Sequence, residues 1–71
     1  MKYVVVIEKG DHNYGAYVPD LPGCVAVGDT IEQVEERIAG AIDFHLRGLR
    51  EDGIEIPEPA SIAKEVEVAA R

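Results

Sequence analysis

The sequence predicts an α+β fold: a small antiparallel sheet with one long helix packed on one face, in the order β-β-β-α-β. Three observations predict it. Three short segments rich in β-formers, separated by turn residues, fill the first 28 positions. A capped stretch with apolar residues at helical spacing follows, and beyond a proline-rich linker Glu65-Val66-Glu67-Val68 alternates strictly.

Met1–Glu8 reads as the first strand, because Tyr3, Val4, Val5, Val6 and Ile7 are β-branched or aromatic and Lys9-Gly10-Asp11 ends the run. Tyr3, Val5 and Ile7 share one face, and Val4 and Val6 the other. Both faces are apolar, so both are expected to be at least partly covered. Gly10–Asn13 reverses the chain, and Tyr14–Val18 reads as an antiparallel second strand. Pro19-Asp20-Leu21-Pro22-Gly23 is a turn, Cys24–Val27 a third strand, and Gly28 and Asp29 close the meander.

The helix predicted from about Ile31 to about Glu51 carries the clearest local pattern. Thr30-Ile31-Glu32-Gln33 is a capping box, in which the Thr hydroxyl accepts the backbone N–H three residues on and Gln33 reaches back. Ile31, Val34, Ile38, Ala41, Ile42, Leu46 and Leu49 then recur at helical spacing. Glu32, Glu35 and Glu36 stand near the start, and Arg47 and Arg50 near the end, which suits the helix dipole. Asp43 and Arg47 are spaced for an i,i+4 pair, and Gly53 supplies the stop. Gly53–Ser61 reads as a linker, and Glu65–Val68 as a half-exposed edge strand.

Seventy-one residues allow one domain, spanning positions 1–71. A chain of this size buries too little surface to be more than marginally stable alone. Its single cysteine, Cys24, excludes an internal disulfide, so self-association is the expected compensation. The lone thiol and the short apolar runs suit a reducing, cytoplasmic setting with no membrane span and no secretory leader. The net charge is −7, from 14 acidic and 7 basic residues. That balance repels nucleic acid and favours a basic protein partner.

Catalytic and metal readings are weak. His12, Cys24 and His45 fall on a loop, a strand and a helix without metal-ligand spacing. Cys24 with His45 as a thiol–imidazole pair has nothing to place the base beside the thiol, and free cysteine is commonly a buried small hydrophobe. Asp11, Asp20 and Asp29 all flank the sheet, but as turn and cap residues rather than a converging carboxylate cluster. Gly10, Gly15, Gly23 and Gly28 form no phosphate cradle. His45, between Ile42 and Leu49, reads as a ring packed at the margin of the apolar stripe rather than a pH sensor. No catalytic, cofactor-binding or metal-binding residue is therefore expected, and no cofactor.

Three stretches nevertheless carry a family pattern. They are Tyr14-Gly15-Ala16-Tyr17-Val18-Pro19-Asp20-Leu21-Pro22-Gly23-Cys24, Gly28-Asp29-Thr30 with the Glu-rich helix start, and Ala41-Ile42-Asp43-Phe44-His45-Leu46 leading to Leu49-Arg50-Glu51-Asp52-Gly53 and Ile56-Pro57-Glu58-Pro59. In this order, over nearly the whole chain, they resemble the HicB-like antitoxin domain. The resemblance implies a fold like a reduced ribonuclease H core and a HicA-type toxin as partner, a small basic RNA-cleaving protein. It also implies neutralisation by covering the toxin's RNA-binding and active surface, and assembly into homodimers or larger oligomers. Many relatives continue into a DNA-binding segment, whereas no basic helix follows Gly53 here, so DNA binding and transcriptional self-regulation are not expected. Two other functions stay open at this point: a self-associating interaction module without a toxin, and a residual metal-dependent nuclease.

Overall fold

The computed structural model describes residues 1–70. Its elements are β1 (Val6–Lys9), β2 (Tyr14–Tyr17), β3 (Val25–Gly28) and α1 (Ile31–Glu51). The strands form one antiparallel sheet in the order β1-β2-β3. Val6 and Val25 both pair with Tyr17, and Ile7 and Ala26 both pair with Ala16. Directly paired residues share a face, so Ile7, Ala16 and Ala26 point one way, while Val6, Tyr17 and Val25 point the other.

The helix begins and ends where the sequence places it. The Thr30 Oγ1 accepts the Gln33 N–H at 3.0 Å, an arrangement worth about 1 kcal/mol. The Gln33 Oε1 reaches one residue further back than a standard capping box, accepting the Asp29 N–H at 2.6 Å. At the other end the Gly53 N–H donates to the Arg50 carbonyl and the Ile54 N–H to the Leu49 carbonyl. That pair of bonds is a Schellman closure, and it requires the left-handed backbone that Gly53 adopts at φ 69°. Asp43 and Arg47 form the expected pair, exposed on both sides and therefore a minor contribution.

α1 lies chiefly over β3 and β2. Val34 and Ile38 are its two buried side chains, and they join Ala16, Val18, Leu21 and Cys24 in the core. Small residues on the sheet allow the close seat. A methyl group added at Gly28 would stand 2.9 Å from the Val34 backbone nitrogen, closer than packed atoms tolerate. The turn after β2 contributes to the core as well. Leu21 and Cys24 donate backbone N–H groups to Val18 and Leu21, and Val18 donates to Cys24, which folds the wholly buried Leu21 inward.

Two sequence expectations need correction. Met1–Glu8 pairs only from Val6 onward, where the β1–β2 register ends with Val6 opposite Tyr17. Residues 1–5 therefore find no strand beside them. The fourth strand at Glu65–Val68 is absent: all four residues are exposed and outside the sheet. Alternation permits a strand but does not create one, since the ladder needs a neighbouring backbone to bond. The observed order is β-β-β-α.

The segment after the helix is anchored at two points, to the residues before β1 and to the turn after β2. The Tyr3 hydroxyl donates to the Pro57 carbonyl. The Asp20 carboxylate accepts the Ala60 and Ser61 backbone N–H groups at 3.0 Å each and the Ser61 hydroxyl at 2.9 Å. These bonds, the Ser61 N–H first, hold the Asp20 carboxyl below its ordinary pKa.

Two outcomes test this fold. Ile38→Asp puts an unpaired charge at a site only 3% exposed; the cost of several kcal/mol is comparable with the whole stability of so small a domain, so cooperative thermal unfolding should be lost. Asp20→Ala should leave the helix intact by circular dichroism but strip amide-exchange protection from Ala60 and Ser61. In the parent chain the same protection should be fully present above the ordinary aspartate pKa and disappear as pH falls through the lowered one, since a depressed carboxylate pKa stabilises only the ionised form. Protection of both amides that ignores Asp20→Ala and acid alike would show that the carboxylate does not anchor this segment.

Candidate protein-binding surface

The residues weighed for catalysis are scattered by the fold. His12 is exposed in the β1–β2 loop, His45 is half-buried on α1, and Cys24 is 3% exposed in the core. Burial pushes the Cys24 thiol pKa up, so the sulfur stays protonated and packs as a small hydrophobe. Among the described residues, no three His, Cys, Asp or Glu side chains are grouped to hold a metal ion. Asp20 is occupied by its anchoring bonds, Asp29 is exposed at the helix entrance, and Asp11 is exposed in the first loop. The sheet aspartates therefore do not converge.

The sheet face turned away from α1 is apolar and open instead. Tyr17 is 41% exposed, Val25 64% and Val27 59%. Val6 pairs with Tyr17 on this face, and Gly15, opposite Val27, has empty space above it. Three β-formers with their side chains in water, on adjacent strands, make a flat patch of the kind that proteins use to contact other proteins. Glu8 and Asp11 flank it at the β1 end, and both are exposed. At the other edge, Arg37 Nη1 donates to the Val27 carbonyl at 2.9 Å, occupying an outward backbone group of β3.

Sequence reasoning did not single out Tyr17, Val25 or Val27. The available clue was size: Ala26 and Gly28 alternate with Val25 and Val27, and only the smaller pair admits a helix closely. Among the described residues, no helix is long and apolar enough to cross a membrane.

Comparison with known proteins places this geometry. The family model for the HicB-like antitoxins of bacterial toxin–antitoxin systems matches residues 3–70. A protein of the UPF0150 group from Helicobacter pylori is 35% identical over 65 residues, covering 90% of each chain. A 14.9 kDa protein of Haemophilus phage HP1 is 41% identical over 58 residues, which are 82% of this chain but only 44% of the phage protein; this chain thus spans less than half of that relative. Among solved structures, a chain from the HicA3 and HicB3 toxin–antitoxin complex superimposes with a TM-score of 0.72 at 27% identity, covering 84% of this chain and 70% of the other. With its sheet, helix and nearly all of its length accounted for by that pattern, the chain belongs to the HicB-like antitoxin family.

Proposed function

We propose that this protein acts by binding rather than by catalysis, neutralising a small basic RNA-cleaving toxin of the HicA type by covering its RNA-binding and active surface. The observation that carries the reading is the family match over residues 3–70, joined to a structural neighbour that comes from a HicA3–HicB3 complex. Charge supports it. A chain at −7 attracts a cationic partner, accelerates encounter with it and competes with RNA phosphates for the same basic surface.

The outer sheet face is the contact we assign. Tyr17, Val25 and Val27 supply desolvatable apolar area at its centre, while Glu8 and Asp11 supply charge at its rim. The pairing takes place in the cytoplasm, where the lone buried thiol stays reduced. Nothing in the reading requires a cofactor, a metal ion or direct contact with DNA.

Co-expression with a basic HicA-type toxin tests it. The expected result is a complex that survives purification at low salt, weakens as salt rises, and relieves the toxin's growth arrest. Val25→Arg, at a site 64% exposed, should leave the fold unchanged and weaken the complex at least about tenfold by placing like charge against the toxin. Failure to relieve arrest by any neighbouring basic toxin would overturn the function. Relief that Val25→Arg leaves intact would move the contact to another face.

A further inference from the structure

A second apolar surface lies at the opposite edge of the sheet. Because α1 sits chiefly over β3 and β2, the helix-side face of β1 is only partly roofed. A groove of about 340 Å³ opens there, lined by Val5, Ile7, Ile38, Ala39 and Ile42, with Glu35 at its rim. β1 is an edge strand, so its outward N–H and C=O groups are free to pair, and residues 1–5 extend it beyond the end of β2. The β1 edge thus has both an unfilled groove and an unfilled ladder, whereas β3 has one outward carbonyl already taken by Arg37.

The same chain holds a strand-like segment that joins no sheet. Asp20 fixes Ala60 and Ser61, and from there residues 62–70 run fully exposed. Ile62 is 87% exposed, Val66 74% and Val68 76%. The segment is not packed against its own body, so its valines are left without cover. Their alternation with Glu65 and Glu67 is the pattern of a strand with one face buried and one wet.

We propose that the 62–68 segment of a second copy adds as a strand along the β1 edge, placing Val66 and Val68 against the groove and Glu65 and Glu67 in water. The exchange is reciprocal: each copy donates one strand and receives one, closing a two-fold dimer and leaving neither β1 edge open. It also supplies the neighbour that Glu65–Val68 and residues 1–5 lack within one chain. This goes beyond toxin binding and leaves the outer sheet face free for it, so the two readings fail separately.

Light scattering on the full chain across a dilution series should give twice the 7.7 kDa chain mass. The double variant Val66→Asp/Val68→Asp, at two exposed sites, should keep its helical circular dichroism and dimerise at least about tenfold more weakly. Ala39→Arg, exposed on the helix at the groove, should weaken the dimer in the same way. In a mixture of isotope-labelled and unlabelled chains, nuclear Overhauser contacts should link Val66 and Val68 methyls of one copy to Ile42 of another. A monomer at every concentration, a dimer indifferent to Val66→Asp/Val68→Asp, or contacts confined to a single chain would each overturn the proposal. So would an Ala39→Arg variant that loses toxin binding but keeps its dimer, because the groove would then belong to the toxin.

Discussion

The close seat of α1 on β3 is the constraint on which the rest of the structure depends. Gly28 lies under the Val34 backbone with no room for a side chain, and Val34 is the most deeply buried residue of the helix. That contact sets the helix over β3 and β2, away from β1. Two consequences follow. The core is filled by Val34 and Ile38 meeting Ala16, Val18, Leu21 and Cys24, and β1 is left at the margin of the roof. A groove beside β1 and an open sheet face on the far side are both products of where one helix lands.

This arrangement suits a protein whose work is contact. Among the described residues the interior is small, made of six buried apolar side chains with no charged residue among them. Much apolar surface remains outside, on two separate faces, in a chain of net charge −7. A domain that cannot bury enough of itself gains stability from whatever binds its folded form, so stability and partner binding are linked by mass action. The proposed toxin contact would use one of these faces and the proposed strand exchange the other.

The helix was legible in the sequence almost to the residue, because its determinants are local: Thr30 and Gln33 at one end, Gly53 at the other, and apolar spacing between. The meander was legible for the same reason, with the ends of β2 and β3 within a residue of those expected. The misreadings arose where the answer depends on a distant neighbour. Met1–Val5 and Glu65–Val68 have strand-like side chains, yet among the described residues neither pairs with a strand. Leu21 sits among prolines and reads as turn, although the turn folds it into the centre of the core. Asp20 was weighed as a catalytic carboxylate, and its actual partners lie forty residues away, at a separation that no local pattern encodes. The exposed patch of Tyr17, Val25 and Val27 was missed because alternation alone does not say which face the helix will choose.

The seat of the helix can be tested by a matched pair of substitutions. Gly28→Ala adds a methyl group where the Val34 backbone stands 2.9 Å away, while Gly15→Ala adds the same group to open space on the other side of the sheet. Overpacking of this kind costs about 1–3 kcal/mol, and in a domain this small each kcal/mol lowers the melting temperature by roughly 4–8 °C. Thermal unfolding should therefore show a clear drop for Gly28→Ala and little change for Gly15→Ala. Equal melting temperatures for the two variants would contradict the close approach of α1 to β3, and with it the positions of both proposed binding surfaces.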